Sequence, residues 1–144
     1  MVGIIKAESR DLHCGGSLIH PNWILTASHC FYDGDDASDK INLTINGLIA
    51  VFGTEDLGID KSERAYKQGR QVERPIKKYF IHDKYVRGKA SNDVALALVS
   101  EVVFTLKIYP VCLPSYPTVS QNLKIENDNV YILGFAAEVQ EEGM

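Results

Sequence analysis

The chain has 144 residues, of which 45% are hydrophobic and 24% charged, and its formal net charge is −4. This composition is typical of a globular protein and excludes a disordered or fibrous one. The negative charge gives no basic field for phosphate groups, and no run approaches the roughly 20 apolar residues of a membrane-spanning helix. Neither a nucleic acid nor a membrane is therefore expected as a partner.

Short runs of β-branched and aromatic residues, separated by turn-rich pieces, predict strands along the chain. Met1–Lys6 lacks the basic and apolar regions of a signal peptide, so we expect any export signal to lie outside this sequence. No long amphipathic helix is evident, and an all-β barrel or sandwich is expected. In chain order, the strand candidates are Trp23–Ala27, Ile41–Ile45, Leu48–Phe52, Ile76–His82 and Val94–Val99.

The strand pattern is interrupted after Leu113, where two prolines and then a polar stretch follow. This is the best candidate for a domain boundary, and beyond it only one further strand is predicted, Val130–Phe135. The segment Gly53–Gly69 is long and charged, which indicates a surface loop.

The chain has three cysteines, so one stays without an intrachain partner if the other two form a bridge. A disulfide would favour an extracellular protein. The sequon that begins at Asn42 is a candidate glycosylation site and agrees with secretion.

Two segments carry the clearest motif. Cys14–Ile19 reads Cys-Gly-Gly-Ser-Leu-Ile, and Trp23–Cys30 reads Trp-Ile-Leu-Thr-Ala-Ser-His-Cys. They resemble the segments that lead to the catalytic histidine in the chymotrypsin- and trypsin-like serine proteases. The resemblance implies that His29 is the general base. Imidazole is suited to this role because it titrates near neutral pH. A Cys14–Cys30 disulfide would hold His29 in a fixed orientation.

A second motif follows at residues 92–98, Asn-Asp-Val-Ala-Leu-Ala-Leu, in which an acidic residue precedes an apolar strand. Asn-Asp before a strand is also common turn chemistry. The segment nevertheless resembles the family's aspartate motif and follows His29 in the family's order. The resemblance implies that a buried Asp93 carboxylate accepts the Nδ1 proton of His29, so that Nε2 faces a nucleophile.

The resemblance also implies a fold and a domain organisation. We expect residues 1–114 to form an antiparallel Greek-key β-barrel, the first of a double-barrel protease. Residues 115–144 would be the linker and the first strand of a second barrel. Cys112, in Val-Cys-Leu-Pro, resembles the cysteine that often bridges to a pro-segment or light chain, which would explain its lack of a partner.

The nucleophile of this family lies in Gly-Asp-Ser-Gly-Gly-Pro, and no such segment occurs here. Ser28 adjoins His29, but neighbouring strand residues point to opposite faces, so we do not expect its hydroxyl to reach the imidazole. We therefore expect the amino-terminal half of a secreted serine endopeptidase that acts on proteins or peptides, inactive by itself. The alternative is a non-catalytic homologue that binds another protein.

A metal-binding module is a weaker hypothesis. Its ligands would be His13, His20, His29 and His82, but no pair has ligand-like spacing beside a cysteine or carboxylate cluster. A calcium site in Glu55–Glu63 is disfavoured because Lys61 interrupts the acidic residues. No metal and no cofactor are expected.

Overall fold

The computed structural model describes residues 1–32, 47–54, 71–114 and 133–135. In these ranges the protein is all-β, apart from one short 3₁₀ helix. The strands are β1 (Val2–Lys6), β2 (Leu12–His20), β3 (Trp23–Thr26), β4 (Leu48–Phe52), β5 (Val72–Ile81) and β6 (Ala95–Val99), and the 3₁₀ helix is Ser28–Phe31. No helix in these ranges is long and apolar enough to cross a membrane.

The strands close into an antiparallel barrel with the order β1-β2-β3-β6-β5-β4, in which β4 returns to pair with β1. The first four strands thus stand side by side in the order β4-β1-β2-β3, which is a Greek key. The predicted all-β Greek-key barrel is confirmed. Because β3 pairs with β6, the end of β3 and the start of β6 meet at Thr26 and Ala95.

The core fills the barrel. Each strand contributes side chains with almost no exposure, and the 3₁₀ helix adds Phe31, whose ring stacks on that of Tyr79 at a centroid distance of 4.3 Å. Alternating burial in β6 follows from the period of two along a strand, since Ala95, Ala97 and Val99 face inward. The barrel core therefore fixes the end of β3 and the start of β6, which lie side by side.

The segment after β6, residues 100–113, which we call the strap, is held against the barrel by backbone hydrogen bonds. The amides of Val99, Val102 and Val111 donate to the carbonyls of Asn22, Pro21 and Leu18 at 2.8–3.0 Å. Val102 and Ile108 are buried against the core. The described barrel and this strap lie within the predicted first domain, whose boundary at residue 114 stays a prediction.

Two of the predicted elements differ from the structure. Strand β5 begins at Val72, four residues before the predicted start, and continues through Pro75, which pairs with Ile49 of β4. The described part of the predicted last strand, residues 133–135, has no strand conformation, and Leu133 is 81% exposed. A strand needs a hydrogen-bonded neighbour, and no described strand pairs with these residues. The candidate strand Ile41–Ile45 lies outside the described ranges.

Candidate active site

His29 lies in the 3₁₀ helix that follows β3 directly. Ser28, Cys30 and Phe31 of this helix are buried, whereas the His29 side chain is 62% exposed. The buried neighbours anchor a tight turn, and the turn presents the imidazole to solvent. The prediction that Ser28 and His29 are consecutive strand residues is wrong, because both lie in this helix. The alternation of side chains along a strand therefore does not set the direction of the Ser28 hydroxyl.

A disulfide ties this helix to β2. The Sγ atoms of Cys14 and Cys30 are 2.00 Å apart, and their Cα atoms are 6.1 Å apart. The bond crosses from β2 to the residue after His29. In addition, His13 Nε2 lies 2.8 Å from the Cys30 carbonyl oxygen. The backbone beside the imidazole is therefore held from two sides.

Asp93 lies in a tight turn at the start of β6. Asn92 adopts a φ of 58°, in the left-handed region that asparagine tolerates better than most residues. The amide of Val94 then donates to the Asn92 carbonyl at 2.9 Å, a three-residue turn centred on Asp93. The turn directs the Asp93 carboxylate across the barrel end toward the 3₁₀ helix.

The two side chains meet through both carboxylate oxygens. His29 Nδ1 lies 2.7 Å from Asp93 Oδ2, and the backbone amide of His29 donates to Oδ1 at 2.9 Å. An ionised carboxylate has no proton to donate, so Nδ1 must carry the proton and donate it. Nε2 is then left with its lone pair, and it lies 3.8 Å from the weakly accepting Cys30 Sγ. The pair has the geometry of a general base and its orienting carboxylate.

The electrostatics of Asp93 favour its ionised form. Desolvation raises the pKa of this carboxyl group, but hydrogen bonds from the ring and backbone of His29 outweigh it. The charge of His29 and the backbone amide of Ser28 act in the same direction, so the pKa lies below its ordinary value. The predicted burial is wrong in degree, because the carboxylate is 23% exposed. It sits at the open end of the barrel, where the hydrogen bonds to His29 shield only one side.

Two aromatic side chains that the sequence did not single out lie on the segments that carry His29 and Asp93, and they contact each other. The Tyr32 and Tyr85 ring centroids are 5.8 Å apart, and the Arg87 guanidinium lies 5.6 Å from the Tyr32 ring centre. Burial raises the pKa of Tyr85, and the charge of Asp93 adds to this rise. Tyr32 follows the His29 helix and Tyr85 lies in the β5–β6 loop. Nothing in their local sequence indicated that they would meet.

The sulfur atoms of Cys14 and Cys30 lie within 4.8 Å of a ligand atom of His29, a grouping of a size that could hold a metal ion. Both sulfurs are consumed in the disulfide, however, and metals bind the thiolate form of cysteine. The other three histidines occupy separate positions: His13 on the Cys30 carbonyl, His20 on the Asn22 amide, and His82 on the Lys84 amide. The described residues therefore offer no histidine cluster for the metal hypothesis.

Comparison with known proteins identifies the class to which this arrangement belongs. The family model described as Trypsin matches residues 1–138. The chain belongs to the trypsin family. Among curated relatives, the rat vitamin K-dependent protein C is 31% identical over 113 residues, covering 78% of this chain and 21% of the relative. The mouse vitamin K-dependent protein C is 30% identical over 115 residues, with the same coverage. The chain thus spans about a fifth of the length of these relatives.

Membership of the trypsin family confirms the resemblance found in the sequence. The structure brings His29 and Asp93 together and joins Cys14 to Cys30. Cys112 is an exposed free thiol among the described residues. The candidate glycosylation site at Asn42 and the acidic loop Glu55–Glu63 both lie outside the described residues.

Proposed function

We propose that this barrel supplies the general base and its orienting carboxylate to a serine endopeptidase. The observation that carries the proposal is the two-point engagement of His29 by Asp93, through the ring at 2.7 Å and the backbone amide at 2.9 Å. Two bonds from one carboxylate fix both the position and the rotation of the imidazole. A base held this way is ready to take a proton at Nε2 without reorganisation.

In the proposed reaction, His29 Nε2 removes the proton of a serine hydroxyl as its oxygen attacks the carbonyl carbon of a peptide bond. The imidazolium that forms is stabilised by the Asp93 carboxylate, which stays ionised because its pKa is low. The imidazolium then gives its proton to the departing amine, which leaves an acyl-enzyme. Water then attacks the carbonyl carbon of this ester while His29 takes its proton. The imidazolium gives this proton to the serine oxygen as the ester bond breaks, which releases the carboxylic acid and restores the serine.

We propose that the nucleophilic serine comes from outside these 144 residues. None of the nine serines follows Gly-Asp or precedes Gly-Gly. Ser28, the serine next to the base, is buried and donates its hydroxyl to the Val94 carbonyl at 2.7 Å. Its hydroxyl is therefore directed into the barrel end and away from a substrate, so we expect the 144-residue chain by itself to hydrolyse no peptide bond.

The disulfide and the sequon at Asn42 support an extracellular location, since disulfides persist in oxidising compartments. We propose that the exposed Cys112 thiol pairs there with a cysteine of a pro-segment or light chain. The proposed substrates are proteins or peptides. No cofactor is needed for acyl transfer by this route.

A second candidate function is supported by the lack of a nucleophile motif among the nine serines. In that case the barrel is a non-catalytic serine protease homologue that binds another protein. The two functions share the fold and the pair of side chains. They differ in whether a serine is ever presented to Nε2.

The test compares the 144-residue chain with the protein translated from the complete natural message. Each is assayed against peptide esters and amides, as found and with His29→Ala. The proposal predicts hydrolysis by the complete protein that His29→Ala removes, and none by the 144-residue chain. No hydrolysis by either protein would support the non-catalytic homologue. Turnover by the 144-residue chain that disappears in His29→Ala would contradict the account of the missing serine.

A further inference from the structure

Ser28 is a polar residue with no solvent exposure. A buried hydroxyl needs a partner, because leaving it without one costs free energy. Its Oγ donates to the Val94 carbonyl oxygen at 2.7 Å, across 66 residues of sequence. The bond therefore joins the 3₁₀ helix to the start of β6 and not to its own neighbours.

The position of this bond in the sequence is informative. Ser28 directly precedes His29, and Val94 directly follows Asp93. The two segments are thus held together by adjacent pairs: Ser28 with Val94, and His29 with Asp93. A shift of one segment relative to the other would stretch all of these hydrogen bonds at once.

The bonds differ in how well they exclude water. Those between His29 and Asp93 lie at the surface, with the imidazole 62% and the carboxylate 23% exposed. Water can compete for both partners there, and a surface ion pair alone holds its geometry weakly. The Ser28 hydroxyl is sealed from solvent, so its bond is less open to this competition.

The Val94 carbonyl oxygen also accepts a second hydrogen bond. The backbone amide of His82, at the end of β5, donates to it at 3.2 Å. The oxygen thus accepts one bond from the β5 side and one from the helix side, which uses both of its lone pairs. The peptide unit between Val94 and Ala95, one residue after Asp93, is therefore held by these two donors.

We propose that Ser28 is a positioning residue for the His29–Asp93 pair, which holds the carboxylate in register with the imidazole by clamping the Val94 carbonyl. The proposal builds on the proposed function, since alignment of the pair has consequences only where His29 acts as a base. A displacement on the order of 1 Å at such a pair can cost about a hundredfold in rate. The hydroxyl acts through the backbone and touches no reacting atom.

Thr26 provides a matched control. Its Oγ1 also donates to a backbone carbonyl, that of Gly15, at 2.7 Å, and the residue is 8% exposed. This bond joins β3 to β2 and does not involve the segment that carries Asp93. Thr26 Oγ1 also makes a weak contact with Cys30 Sγ at 3.7 Å. Thr26→Val thus removes a hydroxyl bond to a backbone carbonyl from the same barrel, as Ser28→Ala does, but leaves the clamp on Val94 in place.

The experiment measures the exchange of the His29 Nδ1 proton with water by NMR on the ¹⁵N-labelled 144-residue chain. Ser28→Ala is expected to speed this exchange about fivefold, the effect of losing one buried hydrogen bond. Thr26→Val is expected to leave the rate unchanged, although it lowers the stability of the barrel. Equal rates in Ser28→Ala and the unaltered chain, or equal acceleration in both variants, would overturn the proposal.

If Ser28→Ala does not fold, the unaltered chain answers the same question. On warming, the Ser28 hydroxyl proton and the His29 Nδ1 proton should begin to exchange together, below the unfolding temperature of the barrel. Loss of one signal while the other persists would overturn the clamp. None of these measurements needs peptidase activity, so a failed activity assay in the complete protein and a failed clamp are separate results.

Discussion

Gly16 lies where β2 passes from its pairing with β1 to its pairing with β3. A Cβ atom at this position would approach Ile24 Cγ2 to 2.8 Å and the Leu25 carbonyl oxygen to 3.0 Å. The neighbouring Gly15 has open space around the same position. Only the second glycine of the Cys-Gly-Gly motif is therefore required by close packing.

Gly16→Ala is expected to lower the free energy of unfolding by about 1–3 kcal/mol, because β3 must move away to admit the methyl group. Gly15→Ala, its control on the adjacent residue, should change stability by no more than about 0.5–1 kcal/mol and is expected to stabilise. Urea unfolding of both variants is the measurement. A loss of stability in Gly16→Ala no larger than in Gly15→Ala would contradict the close approach of β3 to Gly16.

At the next scale, the Cys14–Cys30 disulfide connects β2 with the 3₁₀ helix across a sequence separation of 16 residues. Replacing both cysteines by serine is expected to reduce the free energy of unfolding by about 3 kcal/mol, the usual effect of opening a loop of this length. Cys112→Ser, at the exposed free thiol, should leave stability unchanged. Chemical denaturation of the two variants measures this difference. Equal free energies of unfolding for the double-serine variant and Cys112→Ser would contradict a structural role for the disulfide.

The turn between β1 and β2 is connected to β5 by an ion pair. Arg10 engages Glu73 with two guanidinium nitrogens, one of them at 3.0 Å, and Gln71 donates to the same carboxylate at 2.7 Å. The hydrogen bond from Arg10 lowers the pKa of Glu73 against the effect of desolvation, and the charge of Arg10 and the hydrogen bond from Gln71 lower it further. The ionised form is thus preferred in the folded protein.

A carboxyl group with a lowered pKa stabilises the fold above its ordinary value, about pH 4.3, and the contribution is lost as the pH falls through the folded value. Glu73→Gln should therefore be less stable than the unaltered chain at pH 7, by about 1 kcal/mol for a partly exposed pair. The difference should shrink as the pH falls through the lowered pKa of Glu73. Glu8→Gln, on the same turn, serves as the control. A stability difference between Glu73→Gln and the unaltered chain that stays constant with pH would refute the ion pair of Arg10 and Glu73.

The elements differ in how far the sequence predicted them. Strand β4 was predicted at its observed bounds, Leu48–Phe52, because a run of apolar residues starts directly after Asn46-Gly47. The first part of β5 was missed because Pro75 and the charged Glu73 and Arg74 are typical of loops. Tertiary pairing with β4 overrides that local preference. The 3₁₀ helix was missed because Trp23–Ala27 continues into it without a turn residue.

The site was also predicted only in part. His29 and Asp93 were identified because their flanking motifs resemble those of a known family, and not because of any property of the two residues alone. The clamp at Ser28 and the aromatic pair Tyr32–Tyr85 depend on which residues the barrel brings together. A single sequence without its fold carries no signal for such contacts.

At the scale of the molecule, the strap after β6 exposes several apolar side chains to solvent. Leu106 is fully exposed. The rings of Phe104 and Tyr109 contact each other, with their centroids 5.5 Å apart. The exposed members are Val103, Phe104, Leu106, Tyr109, Val111 and Leu113. An exposed apolar set of this size favours association.

We expect the isolated 144-residue chain to associate at high concentration. The double variant Leu106→Ser with Leu113→Ser should weaken this association, since it removes two of these exposed apolar side chains. Lys107→Ser, on the same segment, should not. Sedimentation velocity over a range of concentrations tests this expectation, and a monomer at all concentrations would disprove it.

The central claim is that Asp93 holds His29 in the form that carries its proton on Nδ1 and leaves Nε2 free to act as a base. The most direct test is the pair of imidazole ¹⁵N chemical shifts of His29, measured by NMR at a pH where the ring is neutral. The account predicts a protonated Nδ1 and an unprotonated Nε2, and loss of that preference in Asp93→Asn. A proton on Nε2 in the unaltered chain, or the same shifts in both proteins, would contradict it.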